Sequence, residues 1–319
     1  MKKLILFLAF TCTISITNAQ WQQTNGPYGG YARCFTTSGS DIYAGIYGVG
    51  VFMSANNGSS WTPVNNGLTN TFLTVLATSG SAIFAGTEGG GVFLSTNNGG
   101  NWSAVNTGLL DTNITALAIS GTNIFAGTGT GIFLSTNNGG NWTPVNSGLT
   151  NYMITSLAIN GSSILAGAHF GGVSISYNNG LTWSGINTGL INDDVTALAA
   201  NGTHIFAGTE GGGVYLSTNN GGNWAPVITG LTITTLVCDG NNVYAGTYID
   251  GVFLSTNNGS NWTAVNTGLI NKNVSALIFS GMNIFAGTDG GGIFYQLIMV
   301  VIGQHQVREF LEQQSLIWQ

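Results

Sequence analysis

Only 5% of the 319 residues are charged, five basic against eleven acidic, and 50 are glycine. Two of the basic residues, Lys2 and Lys3, sit in a leader sequence; without them the balance is three against eleven, a formal −8. That charge excludes electrostatic binding of nucleic acid or anionic lipid, and it leaves the fold to backbone pairing and apolar packing.

The chain opens Met1-Lys2-Lys3, runs through apolar residues 4–10 and reaches Thr17-Asn18-Ala19 before Gln20. This is the pattern of a secretory signal cut after Ala19, so the mature protein is expected outside the cell or on its surface, with no membrane insertion after cleavage. Trp21-Gln22-Gln23 then matches Trp61-Thr62-Pro63, a segment that elsewhere follows a repeated motif. The mature chain is therefore expected to start with a lone outer strand whose partners lie at the far end.

From there the sequence repeats. Trp61, Trp102, Trp142, Trp183, Trp224 and Trp262 are spaced by 41, 40, 41, 41 and 38 residues, a period that marks a propeller or a solenoid. One copy decides between them: residues 114–119, 123–128, 132–136 and 142–146 are four short β-prone runs separated by Gly, Asn and Ser, and no copy holds a ten-residue helical run. Four strands per unit make a propeller blade. The Ala-Gly pair closing each second strand recurs at Gly45, Gly86, Gly127, Gly167, Gly208, Gly246 and Gly287. An all-β, seven-bladed β-propeller over residues 20–294 is predicted, closed by the N-terminal strand. Within it Cys34 and Cys238 fall at an odd offset in the repeat and face opposite sides of their sheets, so no disulfide is expected.

The motif before each Trp, as in Ser95-Thr96-Asn97-Asn98-Gly99-Gly100-Asn101-Trp102, reads as a hairpin turn in which Asn and Gly accept positive φ. It resembles the Asp-box or BNR repeat of sialidases, sortilin-like domains, xyloglucan hydrolases and photosystem assembly-factor propellers. Ser176-Tyr177-Asn178-Asn179-Gly180-Leu181-Thr182-Trp183 follows that pattern except that Asn178 replaces Asp, and Asn56, Asn97, Asn137, Asn219 and Asn257 do the same. Without carboxylates these turns are read as structural, not as calcium sites.

The seventh copy breaks off after Gly292-Ile293-Phe294, where residues 295–303 run apolar. Codons permitted for Phe294 to Gly303, TTC TAT CAA CTA ATA ATG GTG GTA ATT GG, read from the third base as Leu-Ser-Thr-Asn-Asn-Gly-Gly-Asn-Trp. A lost base is the expectation, with residues 295–319 out of frame. The alternative is a genuine apolar strand followed by a short helix over residues 307–316.

Individuality is confined to two loop sets that share one end of the propeller. The loops after the second strands carry Tyr47, Glu88, Gly129, His169, Glu210, Tyr248 and Asp289 at one position, with Phe170 and Asp250 beside it. The interblade loops add Asp111, Tyr152, Asp193, Asp194 and Lys272. Aromatic rings among carboxylates suit a glycan or a protein ligand. The expected binding face is Tyr47, Glu88, His169, Phe170, Glu210, Tyr248, Asp250 and Asp289, on a monomer that needs no cofactor.

Catalysis is not expected. The sialidase chemistry implied by the resemblance needs an arginine cluster, and outside the leader the basic residues are Arg33, Lys272 and Arg308. His169 and His204 fall on opposite faces, so no metal site is expected. Asp193 or Asp194 with Glu210, or Asp250 with Asp289, could serve as the neighbouring acids of a glycoside hydrolase. A secreted binding or scaffold module is the primary reading; a glycoside hydrolase and a purely structural surface protein are the alternatives.

Overall fold

Each repeat folds into one antiparallel meander. In blade three the strands are Ile114–Ser120, Asn123–Thr128, Gly131–Ser135 and Thr143–Pro144, close to the runs read from the sequence, with the outer strand shorter. The computed structural model describes residues 20–298, which form seven such four-stranded sheets and no helix. The seven first strands touch one another in a closed cycle, blade seven meeting blade one. The protein is a seven-bladed β-propeller.

The repeated Ala-Gly pair is explained by how the blades stack. A Cβ added at Gly86 would lie 2.6 Å from both Val75 Cγ1 and Ile114 Cγ2, so only glycine lets the first residue of the next blade press against the second strand. The same contact recurs between Gly127 and Ile154, and between Gly208 and Ile233. Apolar clusters fill the spaces between blades, each centred on fully buried aliphatic and aromatic residues such as Ile83, Phe125 and Phe206.

The repeated turn serves the same packing. Ser95 Oγ accepts the Gly99 N–H and Asn97 Oδ1 accepts the Asn101 N–H, both at 2.9 Å. Asn98 and Gly99 both take positive φ, 57° and 82°. The turn sets Trp102 between blades, where its indole N–H donates to the Val64 carbonyl of the preceding blade at 2.7 Å. Trp142, Trp183 and Trp224 make the corresponding bond.

Closure follows the expectation. The seventh sheet consists of Val274–Ser280, Asn283–Thr288, Gly292–Leu297 and the N-terminal Gln22–Gln23, with Gln22 opposite Tyr295 and Gln23 opposite Phe294. No sheet edge is left open at the seam. The third strand runs three residues past position 294, and the buried Gln296 stands where the other blades carry the turn's Ser. The leader reading of residues 1–19 and the helical reading of residues 307–316 lie outside the described residues, as does all of the out-of-frame reading of residues 295–319 beyond residue 298.

Candidate ligand-binding face

The two variable loop sets are joined by a ladder that the sequence reading did not anticipate. In six of the seven blades the N–H of the key loop residue donates to the carbonyl of the last residue before a first strand. Tyr47 bonds Tyr31, Glu88 bonds Phe72, His169 bonds Met153, Glu210 bonds Asp194, Tyr248 bonds Thr232 and Asp289 bonds Asn273, all at 2.9–3.1 Å. In four blades an Asn clamps the pair. Asn192 Oδ1 accepts the Asp194 N–H at 3.0 Å while its Nδ2 donates to the Glu210 carbonyl at 2.8 Å. Asn70, Asn151 and Asn271 repeat this. Their recurrence at one repeat position was the available signal. Variable side chains thus project from a fixed backbone frame.

Inside the ring, each first strand carries a bulge at its second residue: Arg33, Thr74, Thr115, Thr155, Thr196, Thr234 and Ser275. These residues line a central channel of about 350 Å³. Six are hydroxyls, and each donates to the first-strand carbonyl of the next blade, for example Thr74 to Ile114 at 2.5 Å and Ser275 to Ala32 at 2.6 Å. Arg33 alone replaces a hydroxyl.

Arg33 gathers an aromatic cluster at the loop-face mouth of that channel. Its guanidinium lies 5.4 Å from the Tyr31 ring centroid and 5.7 Å from that of Tyr47, within cation–π range. Tyr47 packs against Phe72 at 5.2 Å, and its hydroxyl donates to Glu88 Oε2 at 2.5 Å. The hydrogen bond to Glu88 raises the Tyr47 pKa, with smaller contributions from desolvation and the Glu88 charge. Two predicted residues, Tyr47 and Glu88, are therefore partners. Arg33, Tyr31 and Phe72 complete the group and were not among the predicted face residues.

A second group forms where blade four meets blade five. His169 Nδ1 lies 2.5 Å from Asp194 Oδ1, the sole ion pair among the described residues when the ring is protonated. Phe170 packs against the imidazole at a tilt of 43°, 4.1 Å between centroids. It takes φ 51°, a left-handed conformation unusual for a bulky residue. Donor atoms of His169, Asp194 and Glu210 all fall within 4.8 Å of one another. Asp194 is 6% exposed, whereas Glu210 is exposed. The sequence reading paired Asp194 with Glu210 only as possible glycosidase acids and placed His169 on the binding face without a partner; the ring geometry brings all three together.

The remaining predicted residues stay separate. Tyr248 is exposed. The Asp250 backbone N–H donates to Thr247 Oγ1 at 2.9 Å, and Asp289 Oδ2 accepts from Asn273 at 3.3 Å. Glu88 and Glu210 belong to different clusters. Among the described residues, eleven of the fifteen exposed large apolar side chains, including Phe72, Tyr152, Met153, Phe170, Tyr248 and Ile249, lie on loops of this face, which makes it more apolar than its acids alone suggested.

No protein-family profile matches the sequence, and no curated protein sequence matches it. Solved structures do. YCF48 from Cyanidioschyzon merolae aligns with a TM-score of 0.68 and 18% identity over 88% of this chain and 98% of its own. The extracellular domain of the putative one-component system BT4673 from B. thetaiotaomicron gives 0.72 and 19% over 86% of this chain and 40% of its own. The GH74 xyloglucanase from Xanthomonas campestris gives 0.71 and 15% over 90% and 55%. Another solved structure similar to this chain is YCF48 bound to D1 peptide, at 0.71 and 15%. At these identities the likeness is one of fold alone.

Proposed function

We propose that the protein is an exported binding module that recognises a protein or glycan ligand through the loop face, with a peptide segment as the favoured ligand. The observation that carries this reading is the gathering of exposed apolar side chains on that one face, interspersed with acids. Patches of this kind mark interaction surfaces, whereas loops drifting under solubility alone would shed such residues. Fixed backbone and aromatic anchors limit the entropy lost on binding. YCF48, a propeller of the same fold, is known bound to a peptide, which supports the class of ligand and not its identity.

The test is to screen the protein on peptide and glycan arrays and then to compare Tyr47→Ala, Phe170→Ala and Tyr248→Ala with Tyr177→Ala on the opposite face. Loss of binding in the first three and none in the fourth is expected; equal behaviour of all four variants would overturn the reading. Export is checked by N-terminal sequencing of the protein from the culture medium or cell surface, where Gln20 is the expected first residue.

One observation favours a second reading. Asp194 and Glu210 offer carboxylate oxygens within 4.8 Å, close to the separation of about 5–5.5 Å between the acids of a retaining glycosidase. Release of sugar from xyloglucan, abolished by Glu210→Gln, would establish hydrolysis instead.

A further inference from the structure

We propose that His169, Asp194 and Glu210 form a binding site for a divalent first-row transition ion, with Zn²⁺ as the natural probe. One imidazole nitrogen and two carboxylates are a donor set that zinc accepts. Calcium takes six to eight oxygens, which this group does not supply. With the imidazole neutral, the two carboxylates bring a charge of −2 that a divalent ion balances. No lysine or arginine pairs with either acid among the described residues, so no basic side chain competes for the site.

The frame is prepared for three donors. Glu210 and Asp194 are joined by a backbone hydrogen bond of 3.0 Å and clamped by Asn192. The buried Asp194 crosses to His169 of the neighbouring blade. Phe170, packed at a tilt against the imidazole, forms an apolar wall beside it, the supporting role that surrounding residues play for metal ligands. A bound ion would enter between Nδ1 and Oδ1 and part them to about 3.3 Å, the separation of two donors each about 2.0–2.1 Å from tetrahedral zinc. The exposed Glu210 is free to close the third side.

The repeat supplies an internal control. The same three positions hold Tyr47, Phe72 and Glu88 between blades one and two, and Glu210, Thr232 and Tyr248 between blades five and six. Only the junction of blades four and five brings together three metal-ligating side chains among the described residues. Three protein ligands leave a fourth position open to water or to an oxygen of a ligand. This inference stands independently of the loop-face reading, because ion binding is measured with no other ligand present.

The experiment is a calorimetric titration of the untagged protein with ZnCl₂, repeated on His169→Ala, Glu210→Gln and the control His204→Ala, with circular dichroism confirming the fold of each. One ion per chain is expected for the wild type and for His204→Ala. Affinity should fall at least about tenfold in Glu210→Gln and about a hundredfold in His169→Ala. The absence of saturable binding by the wild type below about 1 mM zinc would overturn the proposal; zinc chemistry at a real three-donor site is far tighter than that. Wild-type affinity in either site variant would overturn it equally, including a loss confined to His169→Ala. Glu210 is exposed, so that variant keeps its fold and its result is decisive.

Discussion

The Trp21 indole donates its N–H to the Val265 carbonyl at 2.6 Å across 244 residues of sequence. It is the bond that Trp102 makes with Val64 inside the repeat, and it shows that the N-terminal segment fills the seat of a seventh box tryptophan. Trp61 has lost the equivalent bond. The acceptor it would use is at Thr24, whose carbonyl instead takes the Gly26 N–H at 3.0 Å, and the Trp61 Nε1 is buried without a partner among the described residues.

Trp21→Ala should therefore be among the most destabilising substitutions in the protein. It removes a ring that is 1% exposed together with a satisfied hydrogen bond at the seam, a loss of about 3–5 kcal/mol. Trp61→Phe should be close to neutral, because it keeps most of the apolar contact and removes an unsatisfied N–H whose burial costs about 1–3 kcal/mol. Denaturant unfolding of the two variants checks the contrast. Similar losses in both would show that the seam tryptophan has no special role.

The same relationship bears on the reading frame at Phe294. Restoring the frame would place Ser at the position of the buried Gln296, where six other blades use the turn's Ser to accept a glycine N–H. The restored motif also ends in Trp, and Trp21 already holds that blade's seat. Sequencing the genomic DNA from the Phe285 codon onward is expected to reveal the frame of Leu-Ser-Thr-Asn-Asn-Gly-Gly-Asn-Trp. In a protein made from that frame, Trp21→Ala should lose much less stability, since a second tryptophan can take the seat. Confirmation of the present frame in intact relatives would end the proposal.

Blade number, the N-terminal closing strand and the identity of the variable face were legible because a 41-residue period exposes every departure from it. Pairings across blades were not. His169 and Asp194 are 25 residues apart and belong to different blades, and only the ring curvature decides that they touch. Arg33 was legible as a basic residue but not as a channel residue, because the bulge that turns the second residue of each first strand inward leaves no mark in strict alternation.

Cys34 predicts a pH dependence. Burial pushes its thiol from the ordinary value of 9.0 up to about 12, opposed in smaller measure by the Arg33 charge and a hydrogen bond with Gly45. With the folded pKa raised, the contribution to stability is complete below pH 9 and is lost as the pH climbs from 9 towards 12, because the unfolded chain releases the proton first. The full span is worth on the order of 4 kcal/mol. Melting temperatures measured between pH 8 and 11 should fall for the wild type and fall less for Cys34→Ala, which installs the residue found at the matching Ala116, Ala197 and Ala276. Parallel curves would show that Cys34 is not the group responsible.

Arg33 is the residue whose replacement should separate stability from binding. Six hydroxyls tie each blade to the next around the channel, and the one missing link runs from blade one to the Leu73 carbonyl of blade two. Arg33→Thr supplies that hydroxyl. A hydrogen bond of this type adds about 0.5–1.5 kcal/mol, so thermal unfolding should shift upward. The substitution also removes the guanidinium that stacks on Tyr31 and Tyr47, leaving the Tyr47 to Glu88 bond without its cationic neighbour. If the channel mouth contacts the ligand, the more stable protein binds its array-selected ligand more weakly, the trade expected where a binding site departs from its scaffold's own rule. A gain in stability with unchanged affinity would place the ligand on the outer loops, away from Arg33. A loss of stability would mean that the arginine's stacking on the two rings outweighs the hydroxyl belt it interrupts.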